Sequence, residues 1–251
     1  LMPEYDYIYL GDSARCPYGP RSFEVVYEFT LQAVSKLFEL GCPLVILACN
    51  TASAKALRTI QQINLPVIDA TRRVLGVIRP TAECIGEITR SRHVGILATA
   101  GTIKSESYLL EIHKLSPDIV VTGEACPMWV SLVENNEYQS EGADYFVKQH
   151  INRLLDKDPM IDTIILGCTH YPLLLDKIRQ FTPGHIRIIA QGEYVARSLQ
   201  DYLNRHPEMD ARCEKGGKCR FLTTESENKF EESASIFLGR QDIKVESIAL
   251  E

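Results

Sequence analysis

The sequence lacks an uninterrupted apolar run of about 18 residues, the length that suggests a membrane-spanning helix, so we expect no membrane segment. It also lacks an excess of basic residues. Lys and Arg together number 27 and Asp and Glu number 33, which gives a formal net charge of −6. Because broad nucleic-acid binding depends on a basic surface, we expect no nucleic-acid partner.

No secretory segment stands at the start of the sequence, and this absence bears on its eight cysteines. Disulfides are rare in the reducing cytosol, so we expect reduced thiols and a cytoplasmic protein. The chain opens on Leu1 rather than on methionine, which suggests that upstream residues have been removed. Its 251 residues, 45% of them hydrophobic, are enough for one large domain or two smaller ones.

Strand and helix signals alternate along most of the chain, which predicts an α/β fold with mostly parallel sheets. The predicted strands are 5–10, 44–48, 67–69, 94–97, 119–122, 163–166, 186–189, 220–223 and 243–247. The predicted helices are 23–40, 52–62, 74–89, 104–114, 145–155, 173–180, 193–204 and 229–238, and residues 99–102 are predicted to form a loop. We expect two similar lobes with a cleft between them, the first made of residues 1–70 and 191–251 and the second of residues 71–190.

Two cysteines follow apolar runs in nearly matching contexts: Cys49 follows residues 45–48 and Cys168 follows residues 164–167. Open α/β sheets bind ligands at the carboxyl ends of their strands. We therefore expect the two thiols to face one cleft from opposite walls. Such a pair can remove a proton from one face of a carbon and return it to the other, which is the chemistry of a racemase or epimerase that needs no cofactor.

The residues beside the two cysteines suit this chemistry. The thiolate is the useful base, and a position facing a helix N-terminus favours the charged form of a thiol. Asn50, Thr51 and Thr169 offer side-chain donors next to the sulfurs. His170 could polarise Cys168 or carry its proton.

Other interpretations of these residues stay open. A cysteine after an apolar run often only packs in a core. Cys168 and His170 could bind a metal, although a lone Cys-x-His lacks the further ligands that zinc needs. Glu134 ends an apolar run and fits the cleft or the surface equally well. The other histidines have no acidic or cysteine constellation around them in the sequence and are expected in surface or capping roles: His93, His113, His150, His185 and His206.

Several segments, spread nearly end to end, resemble the glutamate racemase family. They are residues 10–15 with 17–19, 48–53, 101–103, 125–127 with 132–134, and 166–174. The last segment, Leu-Gly-Cys-Thr-His-Tyr-Pro-Leu-Leu, is highly specific. The resemblance implies two flavodoxin-like parallel-sheet lobes related by a pseudo-twofold axis, with the active site in the cleft. It also implies that no pyridoxal phosphate or metal is needed, and that the chain forms a homodimer.

The resemblance implies interconversion of L- and D-glutamate, supplying D-glutamate for peptidoglycan synthesis. Cys49 would take the Cα proton from D-glutamate and Cys168 from L-glutamate. His170 would assist Cys168, and Glu134 matches an acidic residue near the site. The implied substrate-holding positions are Tyr18, Gly19, Asn50, Thr51, Thr99, Thr102, Thr169 and His170.

The sequence departs from the family at its start. Family members begin with a strand that ends in Asp-Ser-Gly, whose aspartate assists the first cysteine, and Asp12-Ser13 belongs to a later segment. Without that unit, we expect the first lobe to lack a central strand, with poor stability and little activity. If that unit exists upstream, we expect an intact enzyme; a non-catalytic binding protein is the alternative if it is absent. A further alternative is a relative that acts on aspartate or a hydantoin.

Overall fold

The computed structural model describes residues 1–239 and 243–250 of the chain. Its strands are β1 (Tyr7–Gly11), β2 (Leu44–Leu47), β3 (Arg73–Gly76), β4 (His93–Ala98), β5 (Val120–Ala125), β6 (Thr163–Gly167), β7 (Arg187–Ala190), β8 (Cys219–Thr223) and β9 (Val245–Ser247). Its helices are α1 (Phe23–Glu39), α2 (Asn50–Lys55), α3 (Leu57–Thr59), α4 (Leu65–Ile68), α5 (Ile78–Ile88), α6 (Ala100–Lys104), α7 (Ser107–Leu115), α8 (Trp129–Glu134), α9 (Glu141–Lys157), α10 (Leu175–Phe181), α11 (Gly192–Arg205), α12 (Pro207–Asp210) and α13 (Glu227–Leu238). Short 3₁₀ turns span Ser13–Arg15 and Tyr171–Leu174, and a π-helical segment spans Ile60–Asn64.

The second lobe is built on a four-stranded parallel sheet with the order β5-β4-β6-β7. In chain order this is 2-1-3-4, the arrangement of a flavodoxin-like doubly wound sheet. The direction of the connections reverses between β4 and β6, and such folds bind ligands outside the carboxyl ends of the strands at this switch point. The α/β fold predicted from the sequence is confirmed.

Both faces of this sheet are covered by helices, which explains why the central strand β6 is apolar from Ile164 to Leu166. Ile164 and Leu166 of β6 pack in one core with α8, α9 and α10. Ile165, between them, points to the other face and packs with Ile96 of β4 and with α5 and α7. All five residues of β6 are buried, so the strand that leads to Cys168 is held on both sides.

The strands of the first lobe form two parallel sheets, with the orders β1-β8-β9 and β2-β3. Helix α1 joins β1 to β2. It begins where Ser22 accepts a hydrogen bond from the backbone N–H of Val25, and Gly41 adopts a φ of +93° after it ends. Its buried residues recur every four positions: Val26, Thr30, Val34 and Phe38.

The predicted lobe boundary at residues 70 and 71 stays a prediction, and β3 follows it in the sequence. That strand pairs with β2 through Leu44↔Arg73 to Leu47↔Gly76. The chain therefore passes from the sheet of β2 and β3 to the four-stranded sheet only after Gly76.

Two predicted elements between residues 60 and 90 are wrong. Of the residues predicted as the strand 67–69, Val67 and Ile68 lie in helix α4 after Pro66, and Asp69 is the C-cap of that helix. Residues 74–76, predicted as the start of a helix, belong to β3 instead. The helix begins at Ile78, which places Pro80 in its first turn, where a backbone N–H is not required.

Three further corrections concern shorter features. The predicted loop 99–102 forms most of α6, and helix α8 was not predicted at all. His150, expected at the surface or in a cap, is 3% exposed on α9 and contacts Glu124 at 2.8 Å. In the described part of the chain, no helix is long and apolar enough to span a membrane.

We expect Leu154→Ala to lower the free energy of unfolding by about 2–5 kcal/mol, because it removes a fully buried side chain between α9 and the four-stranded sheet. Urea denaturation followed by circular dichroism measures this change. Leu110→Ala is the matched control, because Leu110 on α7 is 50% exposed. Equal losses in the two variants would contradict this account of the core.

Candidate active site

Cys49 lies two residues after β2 and occupies the N-cap position of α2. Its Sγ accepts a hydrogen bond from the backbone N–H of Ala52 at 3.5 Å. Burial raises the pKa of the Cys49 thiol, and the backbone N–H groups of Ala52 and Thr51 partly offset that rise. The strand therefore delivers this partly exposed thiol to a site with oriented backbone donors.

Cys168 directly follows β6 and is 8% exposed. Burial raises the pKa of its thiol to about 12, while the backbone N–H of His170 acts in the opposite direction. Cys49 is close enough to raise the pKa of Cys168 further. The two thiols predicted to share a cleft thus lie within electrostatic reach of each other.

The expectation that these positions favour the charged form is corrected by the structure. Burial is the largest influence on the pKa of Cys49 and of Cys168, and it outweighs the nearby backbone N–H groups. Burial therefore opposes ionisation of both thiols. A thiolate formed here is a strong base, because its conjugate thiol is a weak acid.

His170 and Glu134 form a relay beside Cys168. The Sγ of Cys168 lies 3.7 Å from Nδ1 of His170, and Nε2 of His170 contacts Oε1 of Glu134. Because an ionised carboxylate can only accept, Nε2 carries the hydrogen, and Nδ1 is the ring nitrogen that faces the sulfur. The hydrogen bond from His170 lowers the pKa of Glu134. This arrangement can take a proton from Cys168 or return it.

Three buried threonine hydroxyls meet where the two lobes approach each other. Thr51 Oγ1 lies 3.0 Å from Thr99 Oγ1 and 3.3 Å from Thr102 Oγ1, and the last two are 3.1 Å apart. Thr99 directly follows β4 and caps α6. Thr99 and Cys168 therefore leave the sheet at the two strands that flank its switch point, as a ligand site in this fold requires.

The loop that carries Tyr18 and Gly19 packs against the start of α6. The Gly19 carbonyl accepts a hydrogen bond from the Gly101 N–H at 3.1 Å. A Cβ on Gly19 would lie 2.9 Å from Thr99, and one on Gly101 would lie 2.5 Å from the Gly19 carbonyl, so both positions require glycine. The Tyr18 hydroxyl donates to Asp12, and burial raises its pKa.

The structure brings most of the predicted site residues to these strand ends, but it adds detail at two of them. Thr169 is exposed between Cys168 and His170. Asn50 is buried, and its amide bonds to Gln191 and Tyr108, neither of which was singled out from the sequence. Gln191 directly follows the strand β7. A polar residue after an apolar run is the same sequence pattern that singled out the two cysteines.

None of the eight cysteines, all of which lie among the described residues, forms a disulfide. Residues 1–239 and 243–250 contain no group of three or more His, Cys, Asp or Glu side chains that could hold a metal ion.

Comparisons with known proteins agree with one another. Residues 1–199 match the sequence profile of the Asp/Glu/Hydantoin racemase family. A glutamate racemase from Bacillus cereus is 38% identical over 251 residues, covering 100% of this chain and 90% of that protein. The crystal structure of a glutamate racemase isoform from Bacillus anthracis superposes with a TM-score of 0.89 at 34% identity, covering 99% of this chain and 90% of that one. The Francisella tularensis glutamate racemase, solved with D-glutamate, gives a TM-score of 0.87 at 29% identity, with coverage of 100% and 90%.

The raised pKa values predict how the two thiols respond to pH. The pKa values of Cys49 and Cys168 both lie above the ordinary value for a thiol. Below about pH 9, a fall of one pH unit should therefore reduce the thiolate fraction about tenfold, and the alkylation rate should fall with it. Iodoacetamide labelling at pH 7, 8 and 9, with mass spectrometry of the Cys49 and Cys168 peptides, measures the rates. Glutathione serves as the control thiol. Alkylation rates that stay constant from pH 7 to pH 9 would show that the thiols are acidic instead.

Proposed function

The chain belongs to the Asp/Glu/Hydantoin racemase family, and on that premise we propose that it is a glutamate racemase. It would interconvert L- and D-glutamate without a cofactor, through proton transfer at Cα. The observation that carries the proposal is the pair of thiols, Cys49 and Cys168, delivered by strands of different sheets to within electrostatic reach of each other.

In the proposed mechanism the thiolate of Cys168 takes the Cα proton from L-glutamate, and the thiol of Cys49 delivers a proton to the opposite face. The roles reverse for D-glutamate. Cys168 must be a thiolate in one direction and a thiol in the other, although burial favours the thiol. The contact of its sulfur with His170, whose ring is oriented by Glu134, supports proton transfer on that side.

A carbanion at Cα needs oriented donors and little water. The backbone N–H groups that face the sulfurs and the Thr51, Thr99 and Thr102 hydroxyls meet both conditions, because they are buried at strand ends. We propose that these groups hold the substrate together with Tyr18, Gly19, Asn50, Thr169 and His170. The hydrogen bond between Gly19 and Gly101 supports this, because it joins the Tyr18 loop to the threonine cluster.

Glutamate is the proposed substrate rather than aspartate or a hydantoin, which the family name also covers. Support comes from the relatives and solved structures that match over the whole chain, which carry the name glutamate racemase. A panel of L- and D-glutamate, aspartate and a 5-substituted hydantoin tests this choice. Inversion of glutamate alone is the expected result.

We also propose a cellular location and an oligomeric state for the protein. The chain would act in the cytoplasm as a homodimer and supply D-glutamate for peptidoglycan synthesis. Light scattering coupled to gel filtration measures the dimer against a chain mass of 28.3 kDa.

Replacing either thiol with serine separates exchange from inversion in heavy water. Cys49→Ser keeps Cys168, so L-glutamate should lose its Cα proton to solvent without inversion, while D-glutamate stays unchanged. Cys168→Ser should show the opposite preference. Serine retains an acceptor at the N-cap of α2, which limits any structural effect. Proton NMR follows exchange, and chiral chromatography follows inversion.

Cys84→Ser is the matched control, because Cys84 lies on α5 and its thiol bonds to the Thr81 carbonyl in the same helix. It should exchange and invert both enantiomers like the wild type. Inversion that survives in Cys49→Ser or Cys168→Ser would exclude the two-thiol mechanism.

Glu134→Gln should lower kcat about 10–100-fold, because a neutral amide orients His170 but stabilises its protonated form less. The equilibrium constant between enantiomers is one, so kcat/KM must fall equally in both directions. Glu137→Gln, an exposed position three residues further along, is the control and should leave the rates unchanged. Equal kcat values for Glu134→Gln and the wild type would remove Glu134 from the mechanism.

A further inference from the structure

Gln191 has no part in the mechanism proposed above, yet it is 8% exposed and directly follows β7. Its amide takes part in a closed ring of buried hydrogen bonds with Asn50 and Tyr108. Asn50 Nδ2 donates to Gln191 Oε1 at 2.8 Å, Gln191 Nε2 donates to the Tyr108 hydroxyl at 2.6 Å, and that hydroxyl donates to Asn50 Oδ1 at 2.6 Å.

The direction of every hydrogen bond in this ring is set by one backbone group. Gln191 Nε2 also lies 3.1 Å from the Val77 carbonyl and 2.9 Å from Thr81 Oγ1, and these two acceptors share its second hydrogen. A carbonyl can only accept, so the NH₂ end of Gln191 must face Val77. Its Oε1 then faces Asn50, which forces Nδ2 of Asn50 toward Gln191 and Oδ1 toward Tyr108.

The ring also connects the two thiols. Asn50 is adjacent to Cys49 and is the first residue of α2. Gln191 follows β7, which pairs with β6 through Leu166↔Ala190, two residues before Cys168. The ring therefore ties the helix that begins at Cys49 to the strand beside the one that ends at Cys168.

We infer that Gln191 is a positioning residue that sets the separation of Cys49 from Cys168 and the orientation of the Asn50 amide. The inference rests on the proposed function. Polar groups that bond to one another in a buried ring hold a narrow range of positions, since moving one weakens the hydrogen bonds of the others. Small misplacements of an acid or base group reduce rates strongly.

Gln191→Met tests the inference, because methionine keeps the length of the side chain and removes every hydrogen bond. Inversion should fall about 10–100-fold. A displaced Cys49 slows reprotonation from its side, whereas Cys168 still removes the proton of L-glutamate. In heavy water, the ratio of Cα exchange to inversion should therefore rise several-fold from L-glutamate and stay near the wild-type ratio from D-glutamate.

A merely structural role would lower the amount of folded enzyme without changing this ratio. Gln61→Met is the matched control, because Gln61 also donates to a backbone carbonyl, that of Val74 at 2.7 Å, but lies outside the ring. If Gln191→Met does not fold, Tyr108→Phe carries the test, since it removes only the hydroxyl of the ring and should shift the ratio in the same direction.

Suppose that the wild type is active but the ratio of Cα exchange to inversion is unchanged in Gln191→Met, or in Tyr108→Phe if Gln191→Met does not fold. That result would overturn the positioning role of Gln191 but not the proposed function. A wild type that neither exchanges nor inverts glutamate would overturn the proposed function and this inference with it. An L-specific rise in the ratio would support both.

Discussion

The proposed site depends on how readily two thiols in an apolar environment can ionise. Cys49 and Cys168 stand at the ends of apolar strands, where burial raises the pKa of each thiol. Water exclusion and a strong base are both useful for removing a proton from a weak carbon acid, and burial supplies both at once. The disadvantage is that little thiolate exists before substrate binds. The features around the two sulfurs, namely backbone N–H groups and the His170–Glu134 relay, act against that disadvantage.

The parallel topology explains how these features come together. Each loop at the carboxyl end of a strand can bring one polar group to the same edge of the sheet, and the order β5-β4-β6-β7 brings Thr99 and Cys168 to neighbouring positions. The first lobe contributes Cys49 and Thr51 from the loop after β2. Neither lobe holds the complete set of groups. The close approach of Gly19 and Gly101 is therefore as important to the site as any charged residue.

The sequence was sufficient to predict the α/β class and most strands, because strands buried on both faces leave apolar runs that are easy to recognise. It was insufficient for β3, which has only four residues, two of them apolar, and follows a helix rich in residues typical of strands. The ring of Asn50, Tyr108 and Gln191 was also missed. Its members are separated by up to 141 residues, and no local pattern marks such contacts.

The high pKa of Cys168 has a consequence for the chemical durability of the protein. Peroxides oxidise thiolates far faster than thiols, so a cysteine that holds its proton is slow to form sulfenic acid. In the proposed mechanism, the raised pKa of Cys168 would slow its oxidation between turnovers. Vulnerability would be confined to the moments when a proton has been transferred away. The same desolvation that makes the thiolate scarce would let two reactive sulfurs survive side by side without becoming a disulfide.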